Sequence, residues 1–367
     1  MGTRPEAIKL APVVRALDAR GIAPLVVFTG QHPGLDPSDH GLDRYRAARL
    51  SWVGQKDPHA HVGAVSKAVL DILRTERPEL LLVQGDTSSA LGGALAAKLA
   101  AIPLAHVEAG LRSHDLKRPW PEEEFRIAID RDSELLFAPT ELSAANLRRE
   151  RVRGRIHVTG NSGIDAVLAI PLDLSARAVR ERPRLLVTCH RRENWGAGMC
   201  AIASALRCIA SESLATVEVI LHPNPALATS IRRMLAGQSG IAFRPPLSHS
   251  ETVAAMLGAD LVLSDSGGIQ EEATALGVPL LVLREKTERP EAIACGNVEL
   301  VGTEPERIVA AVRRRLKGGR PAAISLPFGD GRAGERIAAI VEEWLEEKAL
   351  SLPAGSAPIS HGHRARW

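Results

Sequence analysis

Short apolar runs alternate with segments of helical periodicity along almost the whole chain. Within residues 6–20, Leu10, Val13, Val14 and Leu17 recur at i, i+3, i+4 and i+7, which is the apolar stripe of an amphipathic helix. The apolar runs are short, as expected of buried strands. They predict strands over residues 25–29, 80–85, 104–108, 135–138, 156–159, 185–189, 217–221, 241–244, 261–264, 280–283 and 299–301.

The order of these elements predicts the fold class. Strands that alternate with helices form parallel sheets that are covered by helices on both faces. The strands are too many for one ordinary doubly wound sheet, and 367 residues are enough for two α/β domains. The break best fits residues 165–183, where a short helix and a Pro/Arg-rich stretch show no strand pattern. We therefore predict an α/β protein of two Rossmann-like, doubly wound domains that face each other across a cleft.

The predicted N-terminal domain covers residues 1–165 and the C-terminal domain residues 166–348, with a last helix that packs back on the N-terminal domain. Residues 349–367 are rich in Pro, Gly, Ser and His and lack periodicity, which predicts a disordered tail.

Composition and charge exclude several classes of partner. The apolar fraction of 45 % and the charged fraction of 24 % are ordinary for a globular protein. A net charge of +3 with scattered Lys and Arg argues against nucleic acid and anionic membranes, and 3 % aromatic residues argue against base-stacking surfaces. No apolar run approaches the roughly 18 residues of a membrane span. The four cysteines show no metal-ligand spacing, so we expect a cytoplasmic protein without a metal site.

The strand predicted at residues 261–264 leads into Asp265, Ser266, Gly267 and Gly268 and then into a helix. Such a turn presents backbone N–H groups and a helix N-terminus, which is an anion site commonly occupied by phosphate. Glycine is needed there because a Cβ would block close approach of the backbone. In the first helical turn, either Glu271 or Glu272 could reach the hydroxyls of a ribose. The alternative is an ordinary corner in which the glycines serve packing.

Three carboxylates follow apolar runs of the N-terminal half. They are Asp86 in Gly85-Asp86-Thr87, Glu108 after residues 104–107, and Glu122 in Pro121-Glu122-Glu123. Each alone is typical of a helix cap or a surface charge, but the repeated strand-end context favours chemistry. Carboxylates crowded in a desolvated site raise each other's pKa, so one can hold a proton while another is ionised. They form a candidate acid/base set.

Basic residues also follow predicted strands or lie at the start of the first helix. His190 and Arg191 follow the strand at 185–189, and His222 follows the strand at 217–221. Arg289 lies beyond the strand at 280–283, and Arg4 and Lys9 lie at the start of the first helix. Arg can grip a phosphate with two parallel hydrogen bonds, and His can donate another. A lone His is more often structural, but Arg191 and Arg192 beside His190 favour an anion site.

In this order, these motifs closely resemble the non-hydrolysing UDP-N-acetylglucosamine 2-epimerases. The resemblance runs from Gly2 to about Gly302, and the ordered series is far more specific than any single motif. It implies the glycosyltransferase B fold, which consists of two Rossmann-like domains facing across a cleft. The matching segments are residues 2–9 (GTRPEAIK), 85–87 (GDT), 106–112 (HVEAGLR), 121–123 (PEE), 190–194 (HRREN), 265–272 (DSGGIQEE) and 287–291 (TERPE).

The resemblance also implies a reaction without an added cofactor. UDP is eliminated from UDP-GlcNAc to give 2-acetamidoglucal and is then re-added, which inverts carbon 2, gives UDP-ManNAc and supplies surface polysaccharide synthesis. Base and acid are left unassigned among the carboxylates. A homodimer is implied. The implied catalytic residues are Asp86, Glu108, Glu122 and His190, and the implied substrate-binding residues are Arg4, Lys9, Arg126, Arg191, His222, Ser266, Gly267, Gly268, Glu272 for the ribose and Arg289 for the diphosphate.

The sequence departs from the family pattern at two places. Phe125 stands before Arg126 where the family usually has Asn, which leaves the exact N-acylated sugar open. Bacterial members bind a second UDP-GlcNAc as an activator, and Gln31-His32 resembles part of that site, whereas Pro33-Gly34 departs from its polar pattern.

Other activities remain open on the sequence. A glycosyltransferase of the same fold would share the nucleotide half but would not need three carboxylates in the other half. A hydrolysing epimerase would release free ManNAc and UDP. An epimerase of a related UDP-N-acyl sugar and a nucleotide-sugar sensor without turnover are further alternatives, although the intact Asp86, Glu108, Glu122 and His190 argue against a sensor.

The beginning of the sequence raises a further expectation. The motif at residues 2–6 belongs at the end of a first β-strand, yet Met1 stands immediately before it. The first strand of a doubly wound sheet lies centrally, so its loss would leave unpaired amides that cost about 1–3 kcal/mol each. We expect the natural protein to start several residues upstream with an apolar, β-branched run.

Overall fold

The computed structural model describes residues 1–32, 34–50, 55, 57–171, 181–189, 191, 194–318 and 324–351. Its helices are α1 (Arg4–Ala19), α2 (Pro58–Glu76), α3 (Ser88–Ala100), α4 (Glu122–Asp132), α5 (Glu141–Glu150), α6 (Ser162–Leu168), α7 (Ala197–Ser211), α8 (Pro225–Met234), α9 (His249–Leu257), α10 (Gly267–Leu276), α11 (Pro290–Ala294), α12 (Pro305–Lys317) and α13 (Ala333–Ser351). The strands are β1 (Val26–Phe28), β2 (Ala47–Arg49), β3 (Leu81–Gln84), β4 (Leu104–Val107), β5 (Leu135–Ala138), β6 (Arg155–Val158), β7 (Arg184–Thr188), β8 (Thr216–Ile220), β9 (Ile241–Arg244), β10 (Leu261–Ser264), β11 (Leu280–Val282) and β12 (Val298–Leu300).

The sheet of the C-terminal half has six parallel strands in the order β12-β11-β10-β7-β8-β9. This is the Rossmann strand order, in which ligands bind where the order reverses, here between β7 and β10. Successive side chains of a strand point to opposite faces. Leu185 and Val187 accordingly pack into one apolar core with α7 and α12, whereas Leu186 packs into a second with α9 and α10. The sheet is therefore buried on both faces, as predicted.

The strands of the N-terminal half form two parallel sheets, β1-β2 and β3-β4-β5-β6. The single doubly wound sheet expected for this half is thus divided. The backbone of Met1, rather than β3, pairs with the second edge of β1, because the Met1 ammonium donates to the Val27 carbonyl at 2.8 Å and Thr29 N–H donates to the Met1 carbonyl at 2.9 Å. The strand expected upstream of Met1 stays a prediction.

Two helices connect the halves of the molecule. Ile164 and Val167 of α6 pack into the core of the C-terminal half. Helix α13 returns to the N-terminal half, where Val341 and Trp344 share a core with residues of α1, β4 and β5. Asp165 joins these two helices, since its carboxylate accepts the backbone N–H groups of Ala333 at 3.0 Å and of residue 334 at 2.7 Å. Helix α13 continues to residue 351, beyond the predicted start of the tail at 349, and the rest of that tail lies outside the described residues.

Each predicted strand is present within one residue of its expected bounds. Strand β2 was not predicted, because its sequence Ala-Ala-Arg contains no apolar run and it lies at an exposed edge. Helix α1 begins at Arg4, two residues before the predicted start, since Thr3 and Glu6 form a capping box there. In the described part of the chain, no helix is long and apolar enough to cross a membrane.

Candidate active site

The site residues lie at the carboxyl ends of strands on both sides of the cleft. On the N-terminal side, Asp86 lies between β3 and α3, Glu108 follows β4, and Glu122 and Arg126 lie on α4. On the C-terminal side, Arg191 follows β7, helix α10 begins just after β10, and Arg289 precedes α11. Because all strands of each sheet are parallel, their carboxyl ends bring these groups to one edge.

Helix α1 places Lys9 in the middle of the cleft. The carboxylate of Glu6 accepts the Thr3 N–H at 2.8 Å and the Gly2 N–H at 3.1 Å, which fixes the start of the helix. About one and a half turns of capped helix then bring the buried Lys9 ammonium between the halves of the molecule. Arg4, at the first position of the same helix, donates across the cleft to the carbonyl oxygen of Leu247.

Glu108 is the buried carboxylate at the centre of the site. Its two oxygens lie 2.8 and 2.7 Å from Lys9 Nζ, and Oε1 also accepts from Arg289 Nη2 at 2.8 Å. The Gln84 amide donates to Oε2. The backbone of Glu108 has a φ of 73°, in the left-handed region that residues other than glycine seldom adopt. Such a conformation persists only where surrounding contacts hold it, and it is frequent at functional sites.

Arg289 connects Glu108 to two carboxylates of the C-terminal half. Its Nε lies 2.5 Å from Glu271 Oε1, and its Nη1 donates to Glu288. Glu271 in turn accepts from Lys9 at 3.1 Å, which closes a ring of ion pairs across the cleft. Burial lowers the pKa of Lys9, but the carboxylates of Glu108 and Glu271 more than offset this and raise it. Burial raises the pKa of Glu108 against the opposing effect of Lys9 and Arg289.

Asp86 and Glu122 have opposite electrostatic environments. Asp86 accepts from Arg126 Nε at 3.1 Å and from Arg126 Nη2, and although burial raises its pKa, the Arg126 charge and hydrogen bonds lower it overall. Glu122 lies 3.2 Å from Arg191 Nη1, yet burial and the Asp86 charge raise its pKa. Glu122 Oε2 is buried and has no hydrogen-bond partner within the described residues. Two carboxyl groups whose pKa values are pushed apart are suited to act as base and acid.

Glu288 is a site residue that sequence reasoning missed. Its carboxylate accepts from Arg284 Nη1 at 3.0 Å and from Arg289, and it lies 3.7 Å from Arg191 and 4.0 Å from Arg126. Burial raises its pKa, but these guanidinium groups, Arg289 and Arg284 foremost, hold the pKa well below its ordinary value. The sequence signal for Glu288 is its position next to Arg289 in the motif at residues 287–291.

The predicted anion site at the start of α10 is covered by Arg289. Helix α10 begins at Gly267, two residues earlier than predicted, because glycines are accommodated in its first turn. A Cβ on Gly267 would lie 2.6 Å from Arg289 Nη1, whereas one on Gly268 would meet nothing within 4 Å. The Ser266 side chain makes no capping hydrogen bond. A guanidinium beside the positive end of a helix is favourable when an anion binds to both, so this geometry suits a diphosphate.

Two other predicted residues, Glu272 and His222, make contacts outside the ion-pair ring. Glu272 points away from the ion-pair ring and lies 2.9 Å from His249 Nε2. The Nδ1 atom of His222 accepts the Asn224 N–H at 2.9 Å, and its ring stacks edge-on against Trp195 at 6.3 Å between centroids. His190 lies outside the described residues, so the structure leaves its predicted role open.

The two departures from the family pattern can also be located. Phe125 is buried in the apolar core between α2, α3 and α4, where its ring lies 5.4 Å from that of His59, so its side chain does not face the carboxylates. The amide oxygen of Gln31 accepts from Ser89 Oγ at 2.7 Å, which ties it to the start of α3 near Asp86. Pro33 lies outside the described residues. The described residues contain no group of three or more side chains arranged to hold a metal ion.

The fold and the site define a class of protein. Two Rossmann-like domains that face across a cleft, with a helix N-terminus on one side and carboxylates on the other, form the glycosyltransferase B architecture of enzymes that act on nucleotide sugars. The family model described as UDP-N-acetylglucosamine 2-epimerase matches residues 15–342. A UDP-N-acetylglucosamine 2-epimerase of Yersinia pestis is 40 % identical over 362 residues, covering 92 % of this chain and 95 % of the relative.

Solved structures agree with this match. The UDP-GlcNAc 2-epimerase of Neisseria meningitidis, bound to UDP-GlcNAc, has a TM-score of 0.84 and 34 % identity over 94 % of this chain and 98 % of its own. The Methanocaldococcus jannaschii UDP-GlcNAc 2-epimerase, in complex with UDP-GlcNAc and UDP, has a TM-score of 0.83 and 33 % identity over 93 % and 98 %. The chain therefore belongs to the UDP-N-acetylglucosamine 2-epimerase family, and the predicted family is confirmed.

Proposed function

We propose that this protein interconverts UDP-GlcNAc and UDP-ManNAc without hydrolysis, by eliminating UDP and re-adding it to 2-acetamidoglucal. The observation that carries this proposal is the pairing of acid/base carboxylates in one half with guanidinium groups and a helix N-terminus in the other, across one cleft. The Neisseria meningitidis relative bound to UDP-GlcNAc supports the choice of substrate.

The nucleotide lies on the C-terminal half in this proposal. Its diphosphate binds the first turn of α10 and Arg289, while Glu272 accepts the ribose hydroxyls and is oriented by His249. Arg289 is paired with three carboxylates in the structure. When UDP binds, its diphosphate takes the place of these carboxylates as the partner of Arg289. Lys9 and Arg191 lie close enough to the same region to stabilise the charge that develops on departing UDP.

The acid and base are assigned from their environments. Asp86, whose pKa is lowered, is ionised and removes the proton from carbon 2 as the C1–O bond breaks, and the bonding electrons leave with UDP. A double bond forms between carbons 1 and 2. Glu122, whose pKa is raised, then delivers a proton to the opposite face of carbon 2 while UDP oxygen re-forms the bond to carbon 1. The buried, unpartnered Glu122 Oε2 is consistent with a protonated carboxyl at this position.

Further features of the family belong to the same proposal. They are a homodimer, a cytoplasmic location, a role in supplying surface polysaccharide synthesis, and a second UDP-GlcNAc that binds near Gln31 as an activator. The Methanocaldococcus jannaschii relative in complex with both UDP-GlcNAc and UDP supports a protein of this family holding two such ligands. The contact between Gln31 and Ser89 gives an activator a direct route to the turn that carries Asp86.

The test is product analysis by NMR after incubation of the purified protein with UDP-GlcNAc in heavy water. We expect UDP-ManNAc with deuterium at carbon 2, because the proton passes through exchangeable carboxyl groups. Free ManNAc with UDP would indicate a hydrolysing epimerase, and a new glycoside in the presence of acceptors would indicate a glycosyltransferase. Unlabelled UDP-ManNAc would refute the elimination, and binding without turnover would indicate a sensor.

A further inference from the structure

Behind Asp86 and Glu108, a buried hydrogen bond between His106 and Asp130 joins the two strand ends that carry these carboxylates. Asp130 lies on α4 and His106 on β4, and neither side chain is exposed. Asp130 Oδ1 lies 2.6 Å from His106 Nδ1. The other carboxylate oxygen, Oδ2, accepts the Gly110 N–H at 3.2 Å and lies 2.8 Å from Arg112 Nη1. The remaining ring nitrogen of His106, Nε2, lies 2.9 Å from the carbonyl oxygen of Gly85.

Each end of this pair contacts a turn that carries a carboxylate of the site. Gly85 comes directly before Asp86, and Gly110 lies two residues after Glu108. Gly85, Glu108 and Gly110 all have left-handed backbones, with φ values of 67°, 73° and 83°. The Gly110 position is also tightly packed, since a Cβ there would lie 2.3 Å from the Ser143 carbonyl oxygen. Turns of this kind depend on outside contacts for their exact shape, and the pair supplies one to each turn.

The donors and acceptors around the pair define the hydrogen bond that each ring nitrogen of His106 makes. The Gly85 carbonyl can only accept, so His106 Nε2 carries a proton. Asp130 accepts from Gly110 and Arg112 with its other oxygen, and although burial raises the pKa of Asp130, the charges and hydrogen bonds of His106 and Arg112 lower it overall. The proton on Nε2 goes to Gly85, so Nδ1 shares its hydrogen bond with Asp130 and each ring nitrogen of His106 has its own partner.

We propose that His106 and Asp130 are a positioning pair that sets the separation of Asp86 and Glu108 by holding the Gly85 carbonyl and the Gly110 amide. Neither residue touches substrate. The inference rests on the proposed function, because the separation matters only if both carboxylates act on one sugar. Loss of the pair then displaces the carboxylates of the N-terminal half and leaves the UDP-binding half unchanged.

Two substitutions of His106 separate positioning from simple support of the fold. In His106→Asn the amide takes the place of Nδ1, so it can bond Asp130 but releases Gly85. In His106→Gln the amide nitrogen takes the place of Nε2 and keeps the bond to Gly85. Trp344→Phe is the control, since it removes a partly buried side-chain hydrogen bond, to Glu134 at 2.9 Å, and disturbs the core of the same half without touching either turn. For each variant kcat, KM, the Kd for UDP and the Tm are measured.

We expect His106→Asn to lower kcat by about 10²-fold, the effect of misplacing a reacting group by about 1 Å, and His106→Gln to lose roughly tenfold less. The Kd for UDP should stay within about twofold in both. Equal kcat losses in the two variants, or a loss no greater than that of Trp344→Phe at the same fall in Tm, would overturn the proposal.

The unsubstituted protein provides a second readout that does not depend on the variants folding. Nitrogen NMR of the histidines should show a proton on Nε2 of His106, as its hydrogen bond to the Gly85 carbonyl requires. A His106 ring without a proton on Nε2 would overturn the proposal. Absence of turnover by the unsubstituted protein would instead refute the proposed function, and the His106 spectrum would still decide the bonding on which positioning depends.

Discussion

Replacing Arg289 with Ala removes one of the cations that join the two halves of the site. Its guanidinium is buried and contacts Glu108, Glu271 and Glu288, and it lies against Gly267 at the start of α10. The substitution should therefore have two separate effects. The free energy of unfolding should fall because buried carboxylates lose a partner, and UDP should bind more weakly because the diphosphate loses a charged donor.

The size of each effect follows from the contacts. Breaking a buried ion pair by removing one partner costs about 3–5 kcal/mol. Here each carboxylate retains another cation, since Glu108 and Glu271 keep Lys9 and Glu288 keeps Arg284, so we expect about 3 kcal/mol, at the lower end. A hydrogen bond to a charged group contributes about 1.5–3 kcal/mol, which corresponds to a rise in the Kd for UDP of roughly 10- to 10²-fold.

Urea denaturation measures the first effect and isothermal titration with UDP the second. Lys286→Ala is the matched control, because it removes a positive charge from the same loop, but its side chain is 45 % exposed and pairs with Asp115 at 2.8 Å on the surface. That exposed pair should contribute little to stability, because solvent screens it. A Kd for UDP unchanged in folded Arg289→Ala would show that the diphosphate binds elsewhere. A stability loss no larger than that of the control would show that the buried ring contributes little.

The remaining predictions concern the acid/base pair and acid denaturation. Glu122→Gln and Asp86→Asn should each lower turnover by about 10²-fold or more with UDP affinity retained, and near-native turnover in either variant would remove that residue from the acid/base set. The pKa of Glu288 is lower in the folded protein than its ordinary value of 4.5. Its contribution to stability is thus complete above about pH 4.5 and is lost as the pH falls toward the folded pKa. In Glu288→Gln, the free energy of unfolding from urea denaturation should therefore fall less steeply as the pH is lowered below about 4.5. An unchanged pH dependence would contradict this.

Much of the fold follows from local patterns in the sequence. The apolar runs predicted the strands of both halves because a parallel sheet buries both faces, which leaves a continuous apolar signal. Strand β2 lacks that signal, since its residues have an exposed face and no apolar run. The start of α10 was placed too late because glycine usually marks a turn, whereas here it occupies the first helical positions.

The arrangement of the side chains in the site was harder to predict from the sequence than the fold. Adjacent residues of a helix point about 100° apart, and nothing local shows which of Glu271 and Glu272 faces the cleft. The structure buries Glu271 between Lys9 and Arg289 and directs Glu272 toward His249. The contacts of Glu288 with arginines of both halves depend on how the domains meet, which no short motif encodes. The structure brings most predicted residues together, and their individual roles stay predictions.

The packing of α13 on α1 has a consequence for how the protein is made. Val341 and Trp344 complete a core that contains Leu10 and Val13, from the opposite end of the chain. At a synthesis rate of about 5–20 residues per second, roughly 16–65 seconds separate the two contributions to that core. Throughout that interval the apolar face of α1 lacks α13, one of its packing partners. The core of the N-terminal half is therefore completed only after α13 has been made, although α1 is translated first, and we expect a chaperone that shields α1 during synthesis to raise the yield of folded protein.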